Sequence, residues 1–148
     1  MLKPSDYREA LVDPSEEQRV QRKETLKKWI NTRAEPGCQD RNTLQNAAMH
    51  GDMEVIRFLV AHGADIHITD FRGNNVLHSA AERDAVQVLY YFQYKYGMDV
   101  DARDSLGNSP LHIAAMQGNA ISLKYLTSLG ADLDIQNDRG ETPLHLVV

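Results

Sequence analysis

The chain has 148 residues but only one cysteine, Cys38. It also has no apolar run of the about 18 residues that a membrane-spanning helix needs. A single cysteine closes no internal disulfide and supplies no Cys pair for zinc, so an intracellular, reducing location is expected, cytoplasmic or on the cytosolic face of a membrane if the segment belongs to a larger membrane protein. Cys38 follows Pro36 and Gly37 and has no evident basic or histidine partner in the sequence to make it a reactive thiolate. The N-terminal stretch mixes charges throughout and lacks the apolar centre of a signal peptide. There is no Gly-rich phosphate loop and no nucleophile elbow. The expectation is a non-catalytic chain without cofactor or metal. At this length one core can hold the fold without either.

Positive charge is scarce where it would matter for nucleic acid. Residues 1–38 hold 8 Lys and Arg against 7 Asp and Glu, whereas residues 39–148 hold 8 against 14, and the whole chain carries a net charge of −5. A body this acidic argues against a phosphate backbone as ligand.

What is present is a repeat. Shifting the sequence on itself by about 33 residues brings residues 42–70, 75–104 and 109–137 into register, and a fourth unit begins at Thr142. Gly73, Gly107 and Gly140 open the units, Ala47-Ala48, Ala80-Ala81 and Ala114-Ala115 lie in their middles, and Gly63, Gly97 and Gly130 close them. Each anchor has a physical reason. Pro110 and Pro143 suit the first position of a helix, whose N–H has no intrahelical partner, and the preceding Ser109 and Thr142 can cap it. Paired alanines let helices approach closely, and Gly51 and Gly118 can take the left-handed conformation that ends a helix. A second helix follows in each unit, with Val55, Ile56, Phe58 and Leu59, then Val88, Leu89, Tyr91 and Phe92, then Ser122, Leu123, Tyr125 and Leu126 expected as core. The stretches before the opening glycines, carrying Asp70 and Asp104, read as hairpin-like turns. Unit two departs from the pattern. Asp84 stands where the others have glycine, and one residue is inserted before Gly97, so its second helix should be longer or strained.

These motifs, with Thr142-Pro143-Leu144-His145 complete and Ser109-Pro110-Leu111-His112 nearly so, resemble the ankyrin-repeat family over about residues 40–148. The resemblance implies an all-α solenoid of helix-turn-helix units with hairpin-like turns, divided at about 40–70, 71–104, 105–137 and a partial unit 138–148. It also implies that His78, His112 and His145 hydrogen-bond within and between turns rather than bind metal, with Gln45 doing part of that work. His62 and His67 flank a tight turn and would need a third ligand to hold a metal. The asparagine that is hydroxylated in some members is replaced here by His67, Asp101 and Asp134.

In the N-terminal segment, residues 1–39, a helix is expected over about 15–32, with Ser15 and Gln18 spaced as a capping box and Leu26, Trp29 and Ile30 matching Ile56, Leu59 and Val60. Its polar remainder suits a cap on the stack, and residues 1–14 are expected to be loosely ordered. The sequence stops within a unit's first helix, which suggests a fragment of a longer protein.

The resemblance implies function as well: a monomeric module that binds a protein or peptide on its concave surface. The variable positions that would form that surface are Met49, His50, Phe71, Arg72, Asn74, Glu82, Arg83, Ser105, Leu106, Asn108, Met116, Gln117, Asp138, Arg139 and Glu141. Phe71 and Leu106 are large apolar residues at turn tips, which gain little unless something covers them. A mixed-charge rim of Arg72, Arg83, Arg139, Glu82, Asp138 and Glu141 suits a protein rather than a polyanion. Tyr90 and Tyr94, four apart, could form a second, convex site. The alternative is the recognition arm of a larger enzyme, such as an ankyrin-repeat protein S-acyltransferase or a bacterial effector.

Overall fold

The computed structural model describes residues 15–32 and 42–147. Cys38, the segment boundary near residue 39 and residues 1–14 lie outside it. The described residues form seven α-helices and one short 3-10 turn, with no strand among them. The helices are α1 (Glu16–Ile30), α2 (Thr43–His50), α3 (Met53–Ala61), α4 (Val76–Glu82), α5 (Val86–Tyr96), α6 (Pro110–Gln117) and α7 (Ala120–Ser128), and the 3-10 turn is Pro143–Leu146. Helices α2, α4, α6 and the 3-10 turn pack side by side as an inner row, and α3, α5 and α7 lie behind as an outer row.

The inner helices start at side-chain caps, Ser109 as the sequence predicts and Asn42 and Asn75 at the equivalent places. Asn42, Asn75 and Ser109 each accept from a backbone N–H three residues on, and Gln45, His78 and His112 reach back to the capping residue's own N–H. Gly51 and Gly118 end α2 and α6 in the left-handed conformation. The alanine pairs are buried between helices, together with Leu44, Leu77 and Leu111.

The residue that reaches back also reaches forward. His78 Nδ1 accepts from the Asn75 N–H at 3.2 Å, which leaves the proton on Nε2, and Nε2–H donates to the Asn108 carbonyl in the next turn at 2.8 Å. His112 repeats this, with Nε2–H on the Glu141 carbonyl at 2.9 Å. Gln45 substitutes in the first unit: its Oε1 accepts from Asn42 N–H, and its Nε2 donates to the Asn74 carbonyl. Each inner helix is thus tied to the following turn.

The turns themselves stack. Asp70 Oδ1 accepts from the Arg72 and Asn74 N–H groups, Asp104 Oδ1 from Leu106 and Asn108, and Asn137 Oδ1 from Arg139 and Glu141. Between turns, Ser105 N–H donates to the Arg72 carbonyl at 2.8 Å and Asp138 N–H to the Leu106 carbonyl at 3.0 Å. Gly73 and Gly107 permit this approach. A Cβ on Gly73 would lie 2.8 Å from Ser105 N, one on Gly107 would lie 2.9 Å from Asp138 N, and both glycines have positive φ.

Three sequence expectations are corrected. Val55 and Phe58 are exposed, while Ile56 and Leu59 are buried. Phe58 turns outward to stack on the His62 ring at 4.2 Å. Trp29 is 64% exposed, and α1 joins the stack through Ile30, which is buried, Leu26, and Asn31, whose Nδ2 donates to the Gly63 carbonyl and whose Oδ1 accepts from Asp65 N–H. The Ser15 oxygen accepts from Gln18 N–H at 3.4 Å, which is one half of the expected capping box.

Unit two is unusual in the way its sequence suggests. Helix α5 has 11 residues where α3 and α7 have 9. Asp84 holds the left-handed φ of 57° that glycine would otherwise take. This conformation costs an L-residue about 1 kcal/mol. Asp84 offsets it by accepting from both the N–H and the hydroxyl of buried Ser122, at 2.8 and 2.7 Å.

Asn74 Oδ1 is buried without a hydrogen-bond partner. One unit further on, Asn108 Oδ1 receives a bond from Asn137 Nδ2 at 2.9 Å, but the residue in register with Asn137 beside Asn74 is Asp104, a carboxylate with no N–H to give. Asp104→Asn keeps the Oδ1 acceptor and adds the missing donor. It should raise unfolding free energy by about 1 kcal/mol in urea titration, and Asn137→Asp should lower it.

Burial holds the His78 imidazole below its ordinary pKa of 6.5, against the opposing pull of the Asn108 carbonyl and the Asp104 and Asp70 carboxylates. The unfolded chain therefore takes up a proton at a pH where folded His78 does not. The stability that depends on neutral His78 is complete above its ordinary pKa and declines as pH falls below it. His78→Gln copies Gln45, so the variant should stay folded and lose part of the fall in urea midpoint between about pH 7 and 5.

Candidate partner-binding surface

The inner row and the turn tips form the surface on which the sequence placed its variable positions. Phe71, Arg72, Ser105, Leu106, Asp138 and Arg139 are exposed along the successive turns. The Ser105 hydroxyl donates to the Arg72 carbonyl at 2.7 Å, so this side chain braces the turns. His50, Arg83, Met116 and Gln117 are exposed at the ends of the inner helices. The His50 Nδ1–H donates to the Asn46 carbonyl at 2.7 Å. Glu82 and Asn74 are half-buried, and the Glu82 carbonyl accepts from Asn119 Nδ2 at 2.9 Å.

Two predicted contact residues are not on the surface. Met49 is 8% exposed, although Met116 in the equivalent place is 39% exposed. Met49 belongs to α2, which has the full helix α4 beside it, whereas α6 meets the four-residue 3-10 turn. Asn108 is also buried, its Oδ1 bonded to Asn137 and its carbonyl to His78. It belongs to the ladder.

Of the remaining positions, Leu106, Met116, Asp138, Arg139 and Glu141 come together beside the third unit. A recess of about 220 Å³ is lined by Leu106, Asn108, Met116, Asn137, Asp138, Arg139, Glu141 and Leu146. Its apolar contributors come from a turn tip, an inner helix and the 3-10 turn, and charge of both signs sits on its rim. The Glu141 carboxylate accepts from Asn137 Nδ2 at 3.2 Å, which orients it. Leu146 and Asn137 were not among the predicted residues. The period signals both, since Leu146 follows the fourth Thr-Pro-Leu-His and Asn137 is in register with Asp104. Phe71 and Arg72 stand on a neighbouring turn outside this recess.

A second recess of about 300 Å³ lies between α6, α7 and the 3-10 turn, lined mainly by Leu111, Leu123, Leu133, Pro143, Leu144 and Val147, and it contains none of the predicted residues. Among the described residues, no group of three His, Cys, Asp or Glu side chains is placed to share a metal, and no helix is long and apolar enough to cross a membrane.

A family model described as Ankyrin repeats (3 copies) matches residues 18–104. The chain belongs to the ankyrin-repeat family. A second ankyrin-repeat model, for many copies, matches residues 93–147, and no curated protein matches the chain. The first match starts within α1 and ends at Asp104, so it takes in the N-terminal helix and the first two units, and the second match covers the third. Ankyrin repeats are in general protein–protein interaction modules, and in this ankyrin stack the turn and inner-helix positions that the ladder leaves free are the ones that vary from unit to unit.

Proposed function

We propose that this chain is a non-catalytic recognition module whose concave face holds a protein segment by an apolar anchor in the recess of the third unit. The observation that carries the reading is the convergence of Leu106, Met116 and Leu146 under a rim of Arg139, Asp138 and Glu141. An apolar side chain entering there would remove Leu106 and Met116 from water, at about 25 cal/mol per Å² of apolar area covered. Polar backbone of the segment would find donors and acceptors of both signs on the rim. The mixed charge favours a protein ligand over a polyanion, and the acidic balance of residues 39–148 points the same way. Phe71 and Arg72, one unit away, would extend the contact along the turn tips.

The test is a paired substitution. Peptides selected by display on the wild-type chain should lose binding to Leu106→Glu with Met116→Glu, while helical content and melting temperature stay near the wild-type values because both side chains already face water. Phe71→Glu with Leu106→Glu should also impair capture. Undiminished binding by the folded double variants would reject the concave recess as the site.

A further inference from the structure

The outer row carries a second surface that the repeat does not require. Counting from the helix starts, Glu54, Arg57 and Ala61 of α3 are in register with Gln87, Tyr90 and Tyr94 of α5 and with Ile121, Lys124 and Ser128 of α7. In α3 these positions make an ordinary solvated face. In α5 and α7 they place Tyr90, Tyr94 and Ile121 in water, and Tyr94 is 75% exposed. The core of the units is complete without them, through Leu59, Phe92 and Leu126 at the shared buried position.

These side chains are organised. The Tyr90 and Tyr94 rings lie 5.3 Å apart and 7° from parallel, and Tyr90 meets Tyr125 of α7 at 6.4 Å. The result is an aromatic platform that bridges two helices. Burial first, and the neighbouring Tyr90 second, push the Tyr125 phenol above its ordinary pKa of 10.0, so its hydroxyl remains protonated near neutral pH.

Within the two helices the charge has one sign. Neither α5 nor α7 contains Asp or Glu, and their only formal charges are Lys95 and Lys124. Lys124 is exposed beside Tyr125, and Lys95 Nζ lies over the Tyr91 and Tyr96 rings at 5.4 and 5.6 Å. Of the carboxylates that flank α5, Asp84 is turned inward onto Ser122, while Asp99, beyond the C-terminal end of the helix, is exposed. Such a face is an exception in a region that holds 14 acidic residues against 8 basic ones.

We infer that the outer face of α5 and α7 is a second docking site, distinct from the concave recess, for an acidic protein segment that carries apolar side chains. The apolar groups rest on the Tyr90–Tyr94 platform and against Ile121, and carboxylates meet the Lys124 ammonium and the tyrosine hydroxyls.

The experiment titrates the ¹⁵N-labelled full chain with a short synthetic peptide in which Glu alternates with Leu and Phe. A control peptide has Lys in place of Glu, and vesicles of phosphatidylserine test a lipid source of the same negative charge. The acidic peptide should shift the amide signals of Tyr94, Ile121 and Lys124. Tyr94→Ala and Lys124→Glu should each weaken it by roughly fivefold, as expected for an exposed contact, and added salt should weaken it further. Both side chains are exposed, so both variants should keep the wild-type circular dichroism. Met116→Glu should leave this binding unchanged, which separates it from the concave site. The inference is overturned by shifts confined to the concave residues, by equal binding of the Lys control, by unchanged affinity in the folded variants, or by vesicles binding where the acidic peptide does not.

Discussion

A bond from the fourth residue of each inner helix motif to the carbonyl of the following turn organises the whole stack. His78 to Asn108, His112 to Glu141 and Gln45 to Asn74 are the same contact made by two residue types. Each residue is buried, so its polar atoms must be satisfied within the protein. One end of the side chain completes a helix cap and the other fixes the height of the next turn. Helix start and turn register are therefore set together, and the glycines at 73 and 107 follow as a requirement, since only a residue without Cβ lets the tied turns come so close. Asp84 shows how a unit can depart from this plan: an L-residue occupies a glycine conformation and is held there by two bonds to Ser122 of the next unit.

The ladder also defines what is left for recognition. Side chains that bridge turns, such as Ser105, Asn108 and Asn137, are committed to the frame. Leu106, Met116, Arg139 and their neighbours stand on that frame without being part of it, so they can differ from unit to unit at little cost to folding. A ligand at the proposed recess would meet them on a backbone already in place, which limits the ordering entropy of association. The outer tyrosines have the same independence from the repeat on the opposite side of the stack.

Much of this was legible in the sequence, because the residues that build the frame recur with a period and each has a single physical use. The helix start at Ser109, the left-handed stops at Gly51 and Gly118, and a second helix of unit two that is longer or strained could be read from spacing, and Asn42 and Asn75 take the place of Ser109 in their own units. Side-chain burial could not be read in the same way. Met49 and Met116 are equivalent in the sequence pattern, and their different exposure comes from the length of the element packed against each. Trp29 and Phe58 sit next to core positions and point outward, and an apolar residue next to a core position does not declare its direction from spacing alone. Asn108 stands at a variable position of the repeat, and the partner that commits it to the ladder, Asn137, lies one unit away in the sequence.

The most direct measurement is native-state hydrogen exchange at the amides of Asn74, Asn108 and Glu141, the turn N–H groups bonded to Asp70, Asp104 and Asn137. If the ladder makes the turns and inner helices one preformed frame, the Asn74 and Asn108 amides should be protected to the same degree as the core of α4 and should lose protection together with it when His78 is replaced by Ala. Exchange of these turn amides at the rate of an unstructured peptide, while α4 and α6 stay protected, would contradict a preformed concave surface.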